Sequence, residues 1–217
     1  MLDFHVNLRA SHSNQDCQTG KFRHIVFAES IMNIQQPTRM DKVAFLAWAQ
    51  GREGRFELSD YRIIKMATGS KLHAVIASRL IRIMWARLDL QKWVVLGSNL
   101  ALDVGPSSLR YPDVFVDPIG NNTALTATAP ALIAEVLSPT SALQDLVEKT
   151  AEYLRLPSLM AYLVLSQDEP NVWVWVRGPD GFPATPAMFN GLDKIIGIAS
   201  LGINLPLSEI YANIRRT

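Results

Sequence analysis

The stretch that decides the fold is ALIAEVLSPTSALQDLVEKTAEYLRLPSLMAYLVLS, residues 131–166. Its first segment, residues 131–137, is an almost continuous apolar run of the kind found in central strands that are buried on both faces. Ser141 can cap the amphipathic helix that follows over residues 142–156. A second apolar segment at residues 160–166 completes a strand–helix–strand unit, for which we expect a parallel, right-handed crossover.

Shorter elements flank this unit on both sides. An amphipathic helix is expected from Ser70 to about Leu88, and a hairpin turning at Ser59-Asp60 precedes it. The remaining predicted elements are a short helix at 41–50, strands at 92–97, 99–104, 111–118 and 171–177, and a C-terminal helix from about Pro206. This order indicates an α/β (α+β) domain built on one central mixed sheet flanked by helices.

The composition is that of a globular domain with a neutral charge balance. The chain has 217 residues, of which 48% are hydrophobic, and a formal net charge of +1. This balance gives no support to a broadly basic nucleic-acid binder, but it leaves room for a local basic groove. The single cysteine, Cys17, excludes an intrachain disulfide and a cysteine-built zinc site. Since no segment resembles a signal peptide or a membrane span, we expect a cytoplasmic protein with no membrane partner.

The N-terminal segment differs from the rest of the chain. Residues 1–37 hold three of the four histidines and show no sustained apolar period. We expect a poorly ordered extension there, followed by a domain over residues 38–217. An alternative is that the natural chain begins at Met32 or Met40.

Two acidic residues form the candidate site. The phosphate-binding loop, dinucleotide, zinc-protease and serine-hydrolase motifs are all missing from the sequence. Asp113 begins one strand-like segment, and Glu135 interrupts the next apolar run, where a carboxylate is costly unless it is paired, protonated or metal-bound. One carboxylate from each of two adjacent strands could bind Mg²⁺. The alternative is structural, with Glu135 paired to an arginine and Asp113 in a turn.

Several motifs together resemble one known family. PD at 112–113, EVLSP at 135–139, a helix bearing Lys149 and MAYLVL at 160–165 are similar to the Uma-two family of restriction-type endonucleases, within the PD-(D/E)xK nuclease superfamily. RFELSDYRI, GSKLHAVIASRL and LGINLPLSEIYANI resemble further segments of that family. The resemblance covers roughly residues 40–214, and it implies a restriction-endonuclease-like fold.

The resemblance also implies residue roles. Asp113 and Glu135 would be catalytic and would bind Mg²⁺ or Mn²⁺ together with the backbone carbonyl of Val136. Leu137 occupies the position of the usual superfamily lysine, and Lys149 on the following helix would take over that role. The remaining implied residues are Glu57 and His73, as accessory groups at the rim of the site.

The implied activity is hydrolysis of phosphodiester bonds in DNA. Two basic sets could contact phosphates: Arg79, Arg82 and Arg87, for which a solvated face is the alternative, and Arg110, Lys149 and Arg155. A homodimer is a further possibility, because cutting both strands requires two sites or two events. A toxin-like or mobile-element nuclease would share this chemistry.

The sequence departs from the family pattern at two places. Tyr61-Arg62 replaces glycine-glutamate in the hairpin turn, and Ser166 replaces a frequent aspartate. These departures keep open an alternative from a different class, which is a catalytically degenerate member that binds DNA or a protein.

Overall fold

The structure is a computed structural model that describes residues 39–137 and 143–214. The predicted extension over residues 1–37 therefore lies outside the described residues, as does Ser141, the predicted helix cap. The division of the chain into an extension and a domain over residues 38–217 stays a prediction.

Four helices and thirteen strands make up the described part of the chain. The helices are α1 (Lys42–Ala49), α2 (Lys71–Arg87), α3 (Leu143–Tyr153) and α4 (Leu207–Ile210). The first seven strands are β1 (Phe56–Ser59), β2 (Arg62–Lys65), β3 (Trp93–Gly97), β4 (Ala101–Gly105), β5 (Ser108–Arg110), β6 (Val114–Pro118) and β7 (Thr126–Ala127). The others are β8 (Leu132–Leu137), β9 (Ala161–Ser166), β10 (Asn171–Val176), β11 (Ala187–Asn190), β12 (Ile195–Ile198) and β13 (Ile203–Pro206).

A six-stranded mixed sheet forms the centre of the fold, in the order β11-β10-β9-β8-β6-β3. Its central pair, β8 and β9, is parallel, and α3 lies between these strands along the chain. All other neighbouring strands in this sheet are antiparallel. The predicted fold class and the predicted parallel crossover are confirmed.

The other strands do not join this sheet, although the sequence predicted a single one. They form a five-stranded sheet in the order β2-β1-β5-β4-β7 and a separate pair, β12 and β13. The sequence did not predict β5, which lies between β1 and β4 in the five-stranded sheet. This strand has only three residues, and all of them are buried, including Arg110. Such a short strand with polar buried residues has no apolar alternation from which it could be predicted.

Apolar residues on both faces of the six-stranded sheet explain the continuous run in β8. Leu132 and Ala134 face the core cluster that contains α2. Ile133, between them, belongs to a second cluster with Phe115 and Tyr153. Because successive side chains of a strand point to opposite faces, a strand covered on both sides must be apolar at nearly every position.

Helix α2 covers one face of the central sheet, as its amphipathic pattern predicted. Its inward residues Ile76, Leu80, Ile83 and Met84 are fully buried. Its outer face is tied to the C-terminal helix α4, because Arg87 Nη2 lies 2.6 Å from Oε1 of Glu209. Arg79 Nη1 also donates to the carbonyl of Ile210 over 3.3 Å. Two of the three α2 arginines considered above for phosphate contact, Arg79 and Arg87, thus have structural partners.

None of the helices in the described part of the chain combines the length and the apolar character that crossing a bilayer requires.

The turn between β1 and β2 carries backbone strain. Ser59 pairs with Arg62, so Asp60 and Tyr61 form a two-residue hairpin loop. Both loop residues are in the left-handed region, with φ of 44° and 64°, as a type I′ turn requires. Aspartate tolerates this conformation, whereas a bulky residue such as tyrosine does so at a cost.

Replacing the tyrosine should therefore stabilise the protein. We expect Tyr61→Gly to raise the free energy of unfolding by about 1 kcal/mol, because glycine adopts positive φ without a steric penalty. The guanidinium of Arg39 lies 4.9 Å from the ring centroid of Tyr61, and losing this exposed contact reduces the gain. Chemical denaturation measures the difference, with Asp60→Gly as a control that should gain less. A loss of stability in Tyr61→Gly would show that the ring contact outweighs the strain.

Candidate functional site

One cavity of about 430 Å³ brings together the side chains that the sequence analysis singled out. It is bordered by β1, the segment between β2 and α2, the ends of β6 and β8, and α3. Asp113, Glu135, Lys149, Glu57 and His73 all line it. Residues that are far apart in the sequence thus share one concave site, the usual location for binding or catalysis.

Strand register makes Asp113 and Glu135 neighbours. β6 and β8 are antiparallel and pair Val114 with Ala134, so the next position places Asp113 opposite Glu135. The amide of Asp113 donates to Oε2 of Glu135 over 3.3 Å. The amide of Val136 donates to Oδ2 of Asp113 over 2.9 Å. Val136 thus contacts Asp113 through its amide, while its carbonyl was the predicted metal ligand.

His73 holds Asp113 from the first turn of α2. Its Nε2 lies 3.0 Å from Oδ2 of Asp113. The backbone at this point is fixed because Ser70 Oγ accepts from the amide of His73 and donates to Oε1 of Gln167. The hydrogen bond to Asp113 raises the pKa of His73, and the negative charges of Asp113 and Glu135 act in the same direction, against burial. His73 therefore belongs to the cavity rather than to the apolar core.

Glu135 is a buried carboxyl group with only 8% of its surface exposed. The hydroxyl of Tyr153 donates to its Oε1 over 2.8 Å. Lys149 Nζ lies 4.0 Å from Oε1 of Glu135. Within the described residues, the cationic neighbour of Glu135 is thus this lysine, whereas the structural alternative expected an arginine. Burial raises the pKa of Glu135 to about 8, and the charges of Asp113 and Glu57 add to this effect, while Lys149 and Tyr153 oppose it. Burial therefore favours the neutral form of Glu135, and the ammonium of Lys149 favours the charged form.

Helix α3 supplies three site residues from one face. Lys149, Glu152 and Tyr153 are spaced by three and four residues, the spacing of neighbours on a helical surface. Lys149 Nζ lies 3.2 Å from Oε2 of Glu57, and Glu152 accepts from Arg110 Nε over 2.6 Å. Sequence reasoning missed Glu152, although its spacing from Lys149 already indicates a shared face.

Two residues that the sequence analysis singled out line the cavity but are more deeply buried than expected. Glu57 was expected at the rim, but only 2% of its surface is exposed. Arg110 was one of the candidate phosphate contacts, but it is 1% exposed and its guanidinium contacts Glu57, Glu152 and Ser59. Their burial is tolerated because each charge has partners of opposite sign: Arg110 pairs with Glu57 and Glu152, and Glu57 also pairs with Lys149.

The carboxyl groups of Asp113 and Glu135 suit a hard divalent cation, although the set of ligands is small. Among the described residues, no group of three or more His, Cys, Asp and Glu side chains is arranged to hold a metal ion. Mg²⁺, however, binds through one or two carboxylates and keeps several waters. The contacts of Asp113 with described residues use Oδ2, which leaves Oδ1 for a ligand. Oε2 of Glu135 accepts one bond of 3.3 Å. Metal ligands bind as carboxylates, so a bound cation would oppose the rise in pKa that burial causes at Glu135.

A solved structure has the same fold. It is described as "a putative nuclease belonging to DUF820" from Anabaena variabilis ATCC 29413, and it aligns with a TM-score of 0.68 at 17% sequence identity. The alignment covers 80% of this chain and 98% of that one.

Two curated proteins from Synechocystis sp. (strain PCC 6803) are similar in sequence. Both are described as uncharacterized. The protein slr1290 is 31% identical over 170 residues, which is 77% of this chain and 88% of the relative. The protein sll1609 is 31% identical over 128 residues, which is 55% of this chain and 72% of the relative.

A family model also matches the chain. It is the Uma2 (Uma-two) model, described as "Putative restriction endonuclease", and it matches residues 43–208. This range contains every residue of the cavity that the sequence analysis predicted. The chain belongs to the Uma2 family of restriction-endonuclease-like proteins.

Proposed function

We propose that this protein is an endonuclease that hydrolyses DNA phosphodiester bonds, with Mg²⁺ or Mn²⁺ held by Asp113, Glu135 and the carbonyl of Val136. The observation that supports this proposal is the meeting of two carboxylates and a lysine in one cavity. A divalent cation bound there would polarise a phosphate and lower the pKa of a bound water. Family membership supports nuclease chemistry in general.

The chain's own residues would prepare the site for this reaction. His73 fixes one carboxylate through Oδ2 of Asp113, and Tyr153 fixes the other through Oε1 of Glu135. The ammonium of Lys149, 4.0 Å from Glu135, can orient the attacking water or neutralise charge that builds on the phosphate. These groups are in place before substrate arrives, so little reorganisation is needed during the reaction.

Exposed basic residues at the cavity suit a nucleic-acid backbone. Arg55 and Lys65 are exposed and line the same cavity as the carboxylates. This local arrangement is compatible with a net charge of only +1 for the whole chain. We include in the proposal a cytoplasmic location and a homodimer, since cutting both strands requires two sites or two events.

Removing either carboxylate should abolish cleavage. We expect Asp113→Asn and Glu135→Gln to lower the rate of nicking of supercoiled plasmid by about 10²–10³-fold, because each loses several kcal/mol of charge stabilisation. Asp117→Asn is the matched control, since Asp117 lies on β6 but does not line the cavity.

The same assay separates the proposal from its alternative. Equal nicking by wild type and both variants would mean a contaminating nuclease and would contradict the proposal. Binding of DNA without cleavage by the wild type, in Mg²⁺ and in Mn²⁺, would favour a non-catalytic binding module.

Metal binding should be visible without any substrate. A cation that binds only the folded state at ten times its Kd adds about 1.4 kcal/mol of stability, which raises Tm by about 3–5 °C for a chain of this size. We expect Mn²⁺ to produce this rise in the wild type and EDTA to reverse it. Asp113→Asn and Glu135→Gln should show no rise, and an equal rise in both variants would place the cation elsewhere.

Arg55 and Lys65 should contribute to DNA affinity through phosphate contacts. Each of Arg55→Ser and Lys65→Ser is expected to weaken binding to unrelated sequences alike and to reduce the slope of log K against log salt by about 0.9. Lys92→Ser is the control, because Lys92 is exposed and does not line the cavity. An unchanged salt slope in both variants would exclude this face as the DNA-binding surface.

A further inference from the structure

A set of buried charges at the cavity wall centres on Glu57. Its Oε1 accepts from the amide of Tyr111 over 3.0 Å. Its Oε2 accepts from Arg110 Nη1 over 3.3 Å and lies 3.2 Å from Lys149 Nζ. A carboxylate that is 2% exposed needs such partners, because burying an unpaired charge is costly. Glu57 thus has a fixed orientation and two cationic neighbours.

Arg110 connects Glu57 to the helix that carries Lys149. Its Nε donates to Oε2 of Glu152 over 2.6 Å, and its Nη2 donates to Oγ of Ser59 over 2.9 Å. Ser108 also donates to Glu152 over 3.0 Å. A planar guanidinium that donates to Glu57, Glu152 and Ser59 has little freedom to rotate. The arginine therefore fixes β1 and α3 relative to one another, one helical turn from Lys149.

Lys149 depends on this arrangement for its position. A lysine has a flexible four-carbon side chain that carries about 2 kcal/mol of rotamer entropy. The contact of 3.2 Å to Glu57 is shorter than the 4.0 Å that separates its Nζ from Glu135. Among the contacts within the described residues, the one to Glu57 therefore holds the ammonium next to the carboxylate pair.

We propose that Glu57 is a positioning residue for Lys149, held in place by Arg110, rather than a group that contacts metal or substrate. This inference rests on the proposed function, in which Lys149 acts on the water or the phosphate. The competing explanation is that the Glu57–Arg110 pair only joins the five-stranded sheet to α3. The two explanations differ in whether the effect of Glu57 on the reaction requires Lys149.

A double-mutant cycle tests this dependence. Single-turnover cleavage is measured at saturating plasmid and Mn²⁺ for Glu57→Gln, Lys149→Met and the double variant. We expect Glu57→Gln to lower the rate by about 10²-fold, the loss associated with misplacement of a catalytic group by about 1 Å. In the Lys149→Met background, the same change should have no further effect. The DNA concentration for half-maximal rate should stay unchanged.

A second readout needs neither metal nor turnover. Acetic anhydride labels free lysine amines, and mass spectrometry of the metal-free protein gives the fraction of Lys149 that is modified. Glu57→Gln should increase labelling of Lys149 severalfold, because its ammonium is released, with the exposed Lys92 as internal reference. Glu209→Gln is the control, since it breaks the ion pair to Arg87 far from α3 and should leave Lys149 unchanged.

A milder variant covers the case in which Glu57→Gln does not fold. Ser59→Ala removes one of the acceptors that Arg110 has within the described residues. It should lower the cleavage rate by between about twofold and tenfold, the equivalent of one hydrogen bond, and only when Lys149 is present.

The outcomes separate the inference from the function on which it rests. Increased labelling in Glu57→Gln without cleavage by the wild type would support the contact and overturn the endonuclease activity. Cleavage by the wild type with independent, multiplicative losses in the double variant would overturn the positioning role, and so would unchanged labelling of Lys149. Loss of rate only when Lys149 is present, together with increased labelling, supports the inference.

Discussion

The fold around the cavity depends on the polar contacts of Glu135, a buried carboxyl group near the end of an apolar strand. Glu135 lies on β8, which is paired on both sides and covered on both faces. Burial raises the pKa of Glu135. The ammonium of Lys149 and the hydroxyl of Tyr153, both on α3, oppose this rise. The crossover helix is therefore bound to the strand before it by polar contacts as well as by packing. Loss of these contacts would leave the buried Glu135 with only the 3.3 Å bond from the amide of Asp113 among those described, and an under-paired buried carboxyl group is strongly destabilising.

Much of the fold and the first pair of site residues could be predicted because the signals are local. A strand buried on both faces reads as a continuous apolar run, so the acid at position 135 stands out within it. Asp113 follows a proline at the start of the neighbouring strand. Since the two strands are antiparallel, facing positions share one face, and two local signals predicted one long-range contact.

The remaining parts of the site could not be predicted because they depend on pairing between distant segments. Arg110 lies on a three-residue strand, and its burial follows only from its acceptors Glu57 and Glu152 on other elements. The second sheet was missed for the same reason.

The structure gives a physical setting for the two departures from the family pattern. Tyr61 adopts a positive φ, the conformation that suits glycine, and Oγ of Ser166 accepts from the amides of Asp168 and Glu169 in a tight turn.

The spacing of polar residues along α3 constrains how this part of the chain can change in evolution. Lys149, Glu152 and Tyr153 reach different partners from one helical face. A single inserted or deleted residue among them would rotate one side chain by about 100° relative to the others. It would separate the lysine from the carboxylates even if the helix stayed intact. Substitutions at the solvent-facing positions of α3 would therefore leave these contacts in place, whereas a change of length between positions 149 and 153 would break them.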